Sequence, residues 1–437
     1  MISQIVFFAL LLTGVMLFTK NLRVIIRNIK LGRPEARNDQ PSLRLMTMVK
    51  VALGQSKMVV RPVAGLMHIL VYVGFIIINI EVIEIIIDGL AGTHRVLHFL
   101  GTAYSFLIAS FEWLALGVIA GCVVFLFRRN LVRLKRLQMK ELEGWPKSDA
   151  NIILITEIAL MTAFLTMNLC DSLLQSRGYG HYQHAGFFPV SRWFSGLFSG
   201  FSNDQLFMIE RSCWWFHIVG ILAFLNYIPY SKHFHILLAF PNVYYSNLNP
   251  KGKFSNMAAV TNEVKLMLDP AAVVSTPDST VVPGKFGAKD IYDLSWKNLM
   301  DAYSCTECGR CTSVCPANLT GKKLSPRKIM MDTRDRVEAV GRGIDKNGKG
   351  HEDGKSLLND YISPEELWAC TTCNACTEAC PVNIDPLSII VELRRFMVME
   401  QSAAPAELNT IFGNMENNQA PWKYPPSDRL NWASEGV

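Results

Sequence analysis

Cys305-Thr306-Glu307-Cys308-Gly309-Arg310-Cys311-Thr312-Ser313-Val314-Cys315-Pro316 returns further on as Cys370-Thr371-Thr372-Cys373-Asn374-Ala375-Cys376-Thr377-Glu378-Ala379-Cys380-Pro381. The two runs of Cys-x2-Cys-x2-Cys-x3-Cys-Pro hold eight of the chain's eleven cysteines at one repeated spacing. Three cysteines at that interval curl around one iron–sulfur cube, while the fourth, fixed by the proline, points away toward the other cube. The pattern predicts two 4Fe-4S clusters, one on Cys305, Cys308, Cys311 and Cys380, the other on Cys370, Cys373, Cys376 and Cys315. Structural zinc sites pair two Cys-x2-4-Cys knuckles and have no use for a third cysteine at the same interval. Disulfide frameworks belong to oxidising compartments and small secreted scaffolds, which this spacing does not fit. Cys122, Cys170 and Cys213 stand singly in apolar stretches and read as core residues.

Outward from the cysteines, residues 327–338, 364–369 and 386–399 read as helices, the last with Leu387, Ile390, Val391 and Leu393 as its apolar positions. No segment reads as a strand, so a helical two-cluster ferredoxin domain with a long insertion is expected over residues 290–400. Within the insertion, Gly341-Arg342-Gly343 through Gly354-Lys355-Ser356 has the flavour of a phosphate loop, but Lys349 stands where that motif needs glycine and no strand precedes it. A surface loop is expected there. Residues 401–437 are polar and lack periodicity, which predicts a tail that wraps a neighbour or stays disordered. Upstream, residues 246–289 read as a linker around Ser275-Thr276-Pro277-Asp278-Ser279-Thr280.

The first 245 residues are of another kind. Half of the 437 residues are apolar and the mean hydropathy is positive, high for a soluble chain of this length. Segments 2–20, 62–87, 98–127, 151–174 and 213–240 are each long enough to cross a bilayer. Residues 1–18 have no basic n-region and no small-residue cleavage site, so they read as a permanent span. Pro229 and Pro241 interrupt the fifth segment, predicting a kink or an end near Tyr230-Ser231-Lys232. Residues 20–61 carry ten Lys or Arg against two acids and residues 128–147 carry seven, whereas residues 88–97 carry only Arg95. Basic loops stay in the cytoplasm, so the N-terminus is expected outside and the cysteine domain in the cytoplasm below the inner membrane. The net charge of +6 then reflects these loops facing membrane lipid, and no nucleic-acid partner is expected. The aromatic stretch 175–211 reads as an interfacial loop or the wall of a quinone pocket.

Eight of the nine histidines lie in or beside the apolar segments: His68, His94, His98, His181, His184, His217, His233 and His235. An intramembrane imidazole needs a partner, and haem iron is one. On a continuous helix, His217 and His235 would share a face about 27 Å apart, which suits two haems, one near each leaflet. By topology His68 pairs with His235, and His98, or its rival His94, pairs with His217. Glu81, Glu84, Glu112 and Glu157 also sit in apolar surroundings, as ion-paired groups or as a proton relay.

The membrane part resembles the cytochrome b (gamma) subunit of respiratory nitrate reductase and the membrane subunit of heterodisulfide reductase, through His217 and Ile228-Pro229-Tyr230-Ser231-Lys232-His233-Phe234-His235. The cysteine domain resembles the two-cluster subunit of the latter enzyme. The resemblance implies an all-α protein, a five-helix transmembrane cytochrome b-like bundle joined to a cytoplasmic ferredoxin domain. It also implies one or two b haems and quinone as diffusible substrate. The nitrate reductase family has two haem ligands in its second helix, where only His68 stands here, so the outer ligand stays open and a single haem on His68 and His235 is the alternative. The chain has no Cys-Cys-Gly module, flavin or nicotinamide fingerprint, or molybdenum site, so catalysis on a soluble substrate is expected on a cytoplasmic oxidoreductase partner, one candidate being a subunit with a Cys-Cys-Gly module. A membrane-anchored redox sensor and a haem-free ferredoxin anchor are the competing readings.

Overall fold

Long helices that are apolar on every face have no single stripe to bury, and they must be covered by one another inside and by lipid outside. The computed structural model describes residues 1–269 and 285–434. Its first half contains α1 (Ile2–Ile29), α2 (Pro62–Ala91), α3 (Thr102–Asn130), α4 (Trp145–Ser176) and α5 (Asn203–Tyr227), all long and apolar enough to cross a membrane. Helix α3 lies between α2 and α4, α5 packs on α4 and α1, and α1 returns to α2, so the five close into a bundle. Phe8, Phe75, Phe106, Phe127 and Phe216 stay exposed around it, a surface suited to lipid chains. The chain is a multi-pass membrane protein.

Local signals set the helix ends. Prolines open α2 and α4 in their first turns, where a missing N–H costs nothing. A capping box of Ser202 and Gln205 opens α5, so this span begins well before the expected residue 213 and the aromatic stretch before it is correspondingly shorter. At the other end Pro229 cannot continue the helix. Two tight turns, Ile228–Tyr230 and Lys232–Phe234, follow, and then a separate helix, α6 (His235–Tyr244). The expected span 213–240 is therefore two helices, and His217 and His235 do not share one continuous helix.

At the end of the bundle remote from the cysteine domain, buried polar groups satisfy one another. Arg95 meets Asp171 at 2.5 Å and Asn168 at 2.8 Å. Glu84 accepts from the Tyr104 hydroxyl and from the Leu97 amide, both at 2.9 Å. Glu112 accepts from the amides of Val190 at 2.8 Å and Ser191 at 3.1 Å, pinning the aromatic stretch to α3. Two of the four carboxylates weighed as a relay thus anchor loops.

The second half is helical as well, with α7 (Trp296–Ser304), α8 (Pro326–Asn347), the short Pro364–Trp368, α9 (Pro386–Met399) and α10 (Ala406–Asn418). Among the described residues the only extended pairings are two isolated bridges. Helix α8 runs on through Gly341 and Gly343 to Asn347, so the surface loop expected from Gly341 starts only beyond it. The tail carries α10, whose Ile411, Phe412 and Met415 are exposed. The expected linker core, residues 275–280, lies outside the described residues, and its N-terminal flank forms the helix Ala258–Leu268.

The two halves share one apolar core: Ile25 and Ile29 of α1 and Phe234 pack with Leu299, Ile329, Leu367 and Leu393 of the cysteine domain. Polar contacts frame it. Arg27 pairs with Asp345, Asn28 donates to the Tyr303 hydroxyl at 3.0 Å, and the Arg33 amide donates to the Leu294 carbonyl at 2.7 Å while Trp296 N–H returns to Arg33 at 3.0 Å. This last exchange needs Gly32, because a Cβ there would lie 2.7 Å from the backbone of Ser295 and Trp296. Gly32→Val should therefore cost about 1–3 kcal/mol, read as a lower Tm in detergent and as faster tryptic cleavage at Arg37; an unchanged melt and digest would show that the contact does not hold the halves together.

Candidate functional site

Helix α7 ends at Ser304 and delivers Cys305 in extended backbone. The chain then turns through the left-handed region at Glu307 (φ 55°) and Gly309 (φ 69°), and the second run does the same at Thr372 (φ 54°) and Asn374 (φ 59°). The same two positions of each repeat thus curl the loop, which gathers its first three thiols. Pro316 closes the first run by opening a short helix.

Two cavities result. One is lined by Cys305, Cys308, Cys311 and Cys380, with Cys376, Arg327 and Met330 at its margin. The other is lined by Cys315, Cys370, Cys373 and Cys376, with Leu324, Leu387 and Ile390. The fourth cysteine of each run stands in the cavity of the other. None of the eight forms a disulfide, and among the described residues no three His, Cys, Asp or Glu side chains converge on a site for one ion. Burial pushes Cys305 up to about 11 and Cys376 and Cys380 up to about 12, so as thiolates they need compensating cations, which iron supplies. Backbone amides already point at two sulfurs, Thr372 N–H at Cys370 (3.4 Å) and Ile384 N–H at Cys380 (3.3 Å), contacts that tune iron–sulfur potentials. The donor set fits a 4Fe-4S cube in each cavity.

The first cavity faces the bundle. Arg136 donates to the Cys308 carbonyl at 2.8 Å, Arg61 to Ser313 at 2.7 Å, and Arg310 to the Lys57 carbonyl at 2.7 Å. Arg327, wholly buried, bridges the Arg136 carbonyl and Glu141, each at 2.7 Å. The basic loops 57–61 and 136–141 are thus the platform on which the cysteine domain sits. Burial alone would raise the Glu307 carboxyl, but Lys232 and Arg334 outweigh it and hold it below the usual carboxylate range. The second cavity faces away, with Cys373 the one exposed cysteine.

Of the candidate histidines, the structure brings His68 and His235 together. Two imidazoles on opposite sides of one metal ion stand about 6 Å apart centre to centre, from metal–nitrogen bonds of about 2 Å plus the ring radii, and these two rings lie 6.4 Å apart. His235 Nδ1 donates to the Lys232 carbonyl at 3.1 Å, which leaves Nε2 free as an acceptor, the usual arrangement of a metal-bound imidazole. His217 is buried, with Nδ1 donating to the Leu160 carbonyl at 3.0 Å. His98 is exposed, donates to its own turn at the Arg95 carbonyl, and has no ring contact with His217 among the described residues. His94 packs instead on His181 and Tyr182, at 5.2 and 4.8 Å, beside Asp171. The residues therefore fit one bis-histidine site, at the cysteine-domain end, and those named for a second do not meet.

Asp149 holds this end together. It accepts from the Tyr227 hydroxyl and from Ser231 Oγ, both at 2.6 Å, and from the Lys232 amide at 3.1 Å. Spacing singles out neither Asp149 nor Glu307; the one signal is an acid at the start of an apolar span, and another inside a cysteine run.

Residues 304–384 match the family model of the 4Fe-4S dicluster domain. The chain is 27% identical to the probable iron-sulfur-binding oxidoreductase FadF of Bacillus subtilis, over 97% of this chain and 59% of that protein. It is 28% identical to the EtfAB:quinone oxidoreductase of Syntrophomonas wolfei, over 91% of this chain and 55% of that protein. With a subunit of the ferredoxin/F(420)H(2)-dependent CoB-CoM heterodisulfide reductase of Methanosarcina acetivorans it shares 37% identity over 24% of this chain and 52% of that protein. The chain spans little more than half the length of the first two relatives. No solved structure matches it. Its homologues are iron–sulfur oxidoreductases, heterodisulfide reductase proteins among them, and this chain carries a 4Fe-4S dicluster domain beside five apolar helices long enough to cross a membrane.

Removing Asp149 should loosen the turn that carries His235. Asp149→Ala strands three donors of a buried carboxylate and should cost about 3 kcal/mol, seen as a lower Tm and as faster amide exchange across residues 228–235. Exchange that stays at the wild-type rate would show that the turn is held by other contacts.

Proposed function

We propose that the chain is the electron-transfer subunit of a quinone-linked oxidoreductase complex, joining the quinone pool to a cytoplasmic partner through a b haem and two 4Fe-4S clusters. The observation that carries this reading is the His68–His235 pair, 6.4 Å apart, at the end of the bundle on which the first cysteine cavity rests. The name of the Syntrophomonas relative, a quinone oxidoreductase, supports the quinone. The place of the Methanosarcina protein as one part of a larger enzyme supports a separate partner, one candidate being a subunit with a Cys-Cys-Gly module.

When bound, haem and clusters supply one-electron carriers that no amino-acid side chain here replaces. The protein's part is to hold them. His68 and His235 would grip the haem iron, with the Lys232 carbonyl fixing the His235 tautomer. Cys305, Cys308, Cys311 and Cys380 would hold the cluster next to the bundle. Cys315, Cys370, Cys373 and Cys376 would hold the outlying one, whose exposed Cys373 edge is where a partner's acceptor can approach. The basic loops support a cytoplasmic position for this face. Because His98 and His217 make no ring contact among the described residues and each bonds a different backbone carbonyl, the reading rests on one haem.

Protein purified without oxygen should contain about eight cluster irons and acid-labile sulfides, together with a b-type absorption that a quinol reduces. His235→Ala should abolish that band and spare the iron. Cys305→Ser and Cys380→Ser should erase one and the same cluster signal in electron paramagnetic resonance, Cys370→Ser and Cys315→Ser the other. Clusters without haem would overturn the reading in favour of a membrane-anchored ferredoxin or redox sensor.

A further inference from the structure

The turn bearing His235 and the loop bearing Cys305 and Cys308 are far apart in sequence and meet at one side chain. Lys232 offers its carbonyl to His235 Nδ1 at 3.1 Å. Its ammonium pairs with the Glu307 carboxylate and donates to the Pro146 carbonyl at 2.6 Å, with Asp149 4.0 Å away. Glu307 lies between Cys305 and Cys308, is 4% exposed, and takes Arg334 on its other oxygen at 2.8 Å. The backbone of Lys232 is itself fixed by Asp149. Lys232 therefore touches the histidine site with its main chain and the cysteine loop with its side chain.

Stability alone does not account for this pair. Desolvating two charges costs about as much as their attraction returns, and Glu307 already has a cation in Arg334. What Lys232 adds is a link between two sites that must keep a constant separation, because electron exchange between carriers falls steeply with distance. It also adds a positive charge beside a negative one on the loop whose Cys305 and Cys308 line one cavity, and neither Lys232 nor Glu307 lines the other.

We propose that Lys232 and Glu307 form a positioning pair that couples the His68–His235 site to the nearer cysteine cavity, fixing the Cys305–Cys311 loop against the His235 turn and setting the charge there. The proposal rests on the haem-and-cluster reading above. Neither residue touches iron in this scheme; both act through the residues that do.

The two charges give the test its sign. A nearby cation favours the reduced, more negative cluster and a nearby anion disfavours it. In the full-length loaded protein, Lys232→Met should lower the reduction potential of the cluster on Cys305, Cys308, Cys311 and Cys380, Glu307→Gln should raise it, and the other cluster should keep its potential in both. Each variant should also slow electron arrival at the clusters after quinol reduction of the haem by about tenfold, the scale of a small misplacement, and speed amide exchange over residues 305–311. Lys232→Arg should restore rate and potential. Shifts of the same sign in both variants, or of both clusters alike, would make the pair merely structural and overturn the proposal, as would loss of haem from both. Wild-type protein without b haem would overturn the parent reading and this one with it, whereas full cofactor content with unmoved potentials and rates would sink the coupling alone.

Discussion

Cys315 and Cys380 each leave the run they belong to and stand in the cavity of the other, and the arrangement of the second half depends on this exchange. A lone run could curl around its own three thiols and leave the rest of the chain free. Exchange of the fourth member forces residues 305–316 and 370–381 into contact, and the intervening α8 has to leave the pair and come back to it. Its buried Ile329, Met330 and Val337 pack with Leu387, Ile390 and Leu393 of α9, so the core forms around a geometry that the cysteines dictate. The prolines after Cys315 and Cys380 then set the direction in which the chain departs.

The bundle is held to the same standard by a different solvent. A polar group within it finds no water, and each must be met by another side chain or by the backbone. Arg95, Asp171, Asn168 and Glu84 do this at the remote end, and Asp149 with Tyr227, Ser231 and Lys232 does it at the other. Between them the helices are largely apolar, apart from His217 on the Leu160 carbonyl, Asn226 on the Gly14 carbonyl, Glu81, whose Oε2 is buried without a partner among the described residues, and the His233–Glu157 approach at 4.0 Å. The polar groups of the bundle are thus concentrated at its two ends, and the end with the histidine pair is the one on which the cysteine domain rests.

Much of this could be read from the sequence where the signal is local. The cysteine spacing is short and repeated, and the two cavities contain the quartets that the spacing and the prolines imply. The meeting of His68 with His235 also follows from topology, since both stand at the same end of their spans. Boundaries that depend on tertiary contacts were less legible. Gly341 and Gly343 look like loop residues, yet α8 continues through them, and Gly341 gives room for Asn28 of α1. The helical count from His217 to His235 fails because Pro229 and the Ser231 turn break the helix. His98 lies on a short turn begun by Arg95 in left-handed backbone (φ 52°), and that turn exposes it. Lys232 and Glu307 carry no mutual signal in sequence, for nothing in either segment announces a partner so remote.

The shared core of Ile25, Ile29 and Phe234 with the cysteine domain has a mechanical consequence. A carrier domain on a supple tether can swing between donor and acceptor, and its throughput is then set by the rate of swinging. Here that motion would tear open an apolar core and strip Arg27, Asn28 and Arg33 of their partners, so the domain is a fixed terminal. Under the proposed function, a protein that exchanged electrons with it would have to travel to the exposed Cys373 face and leave again, and that traffic would govern the molecule's capacity.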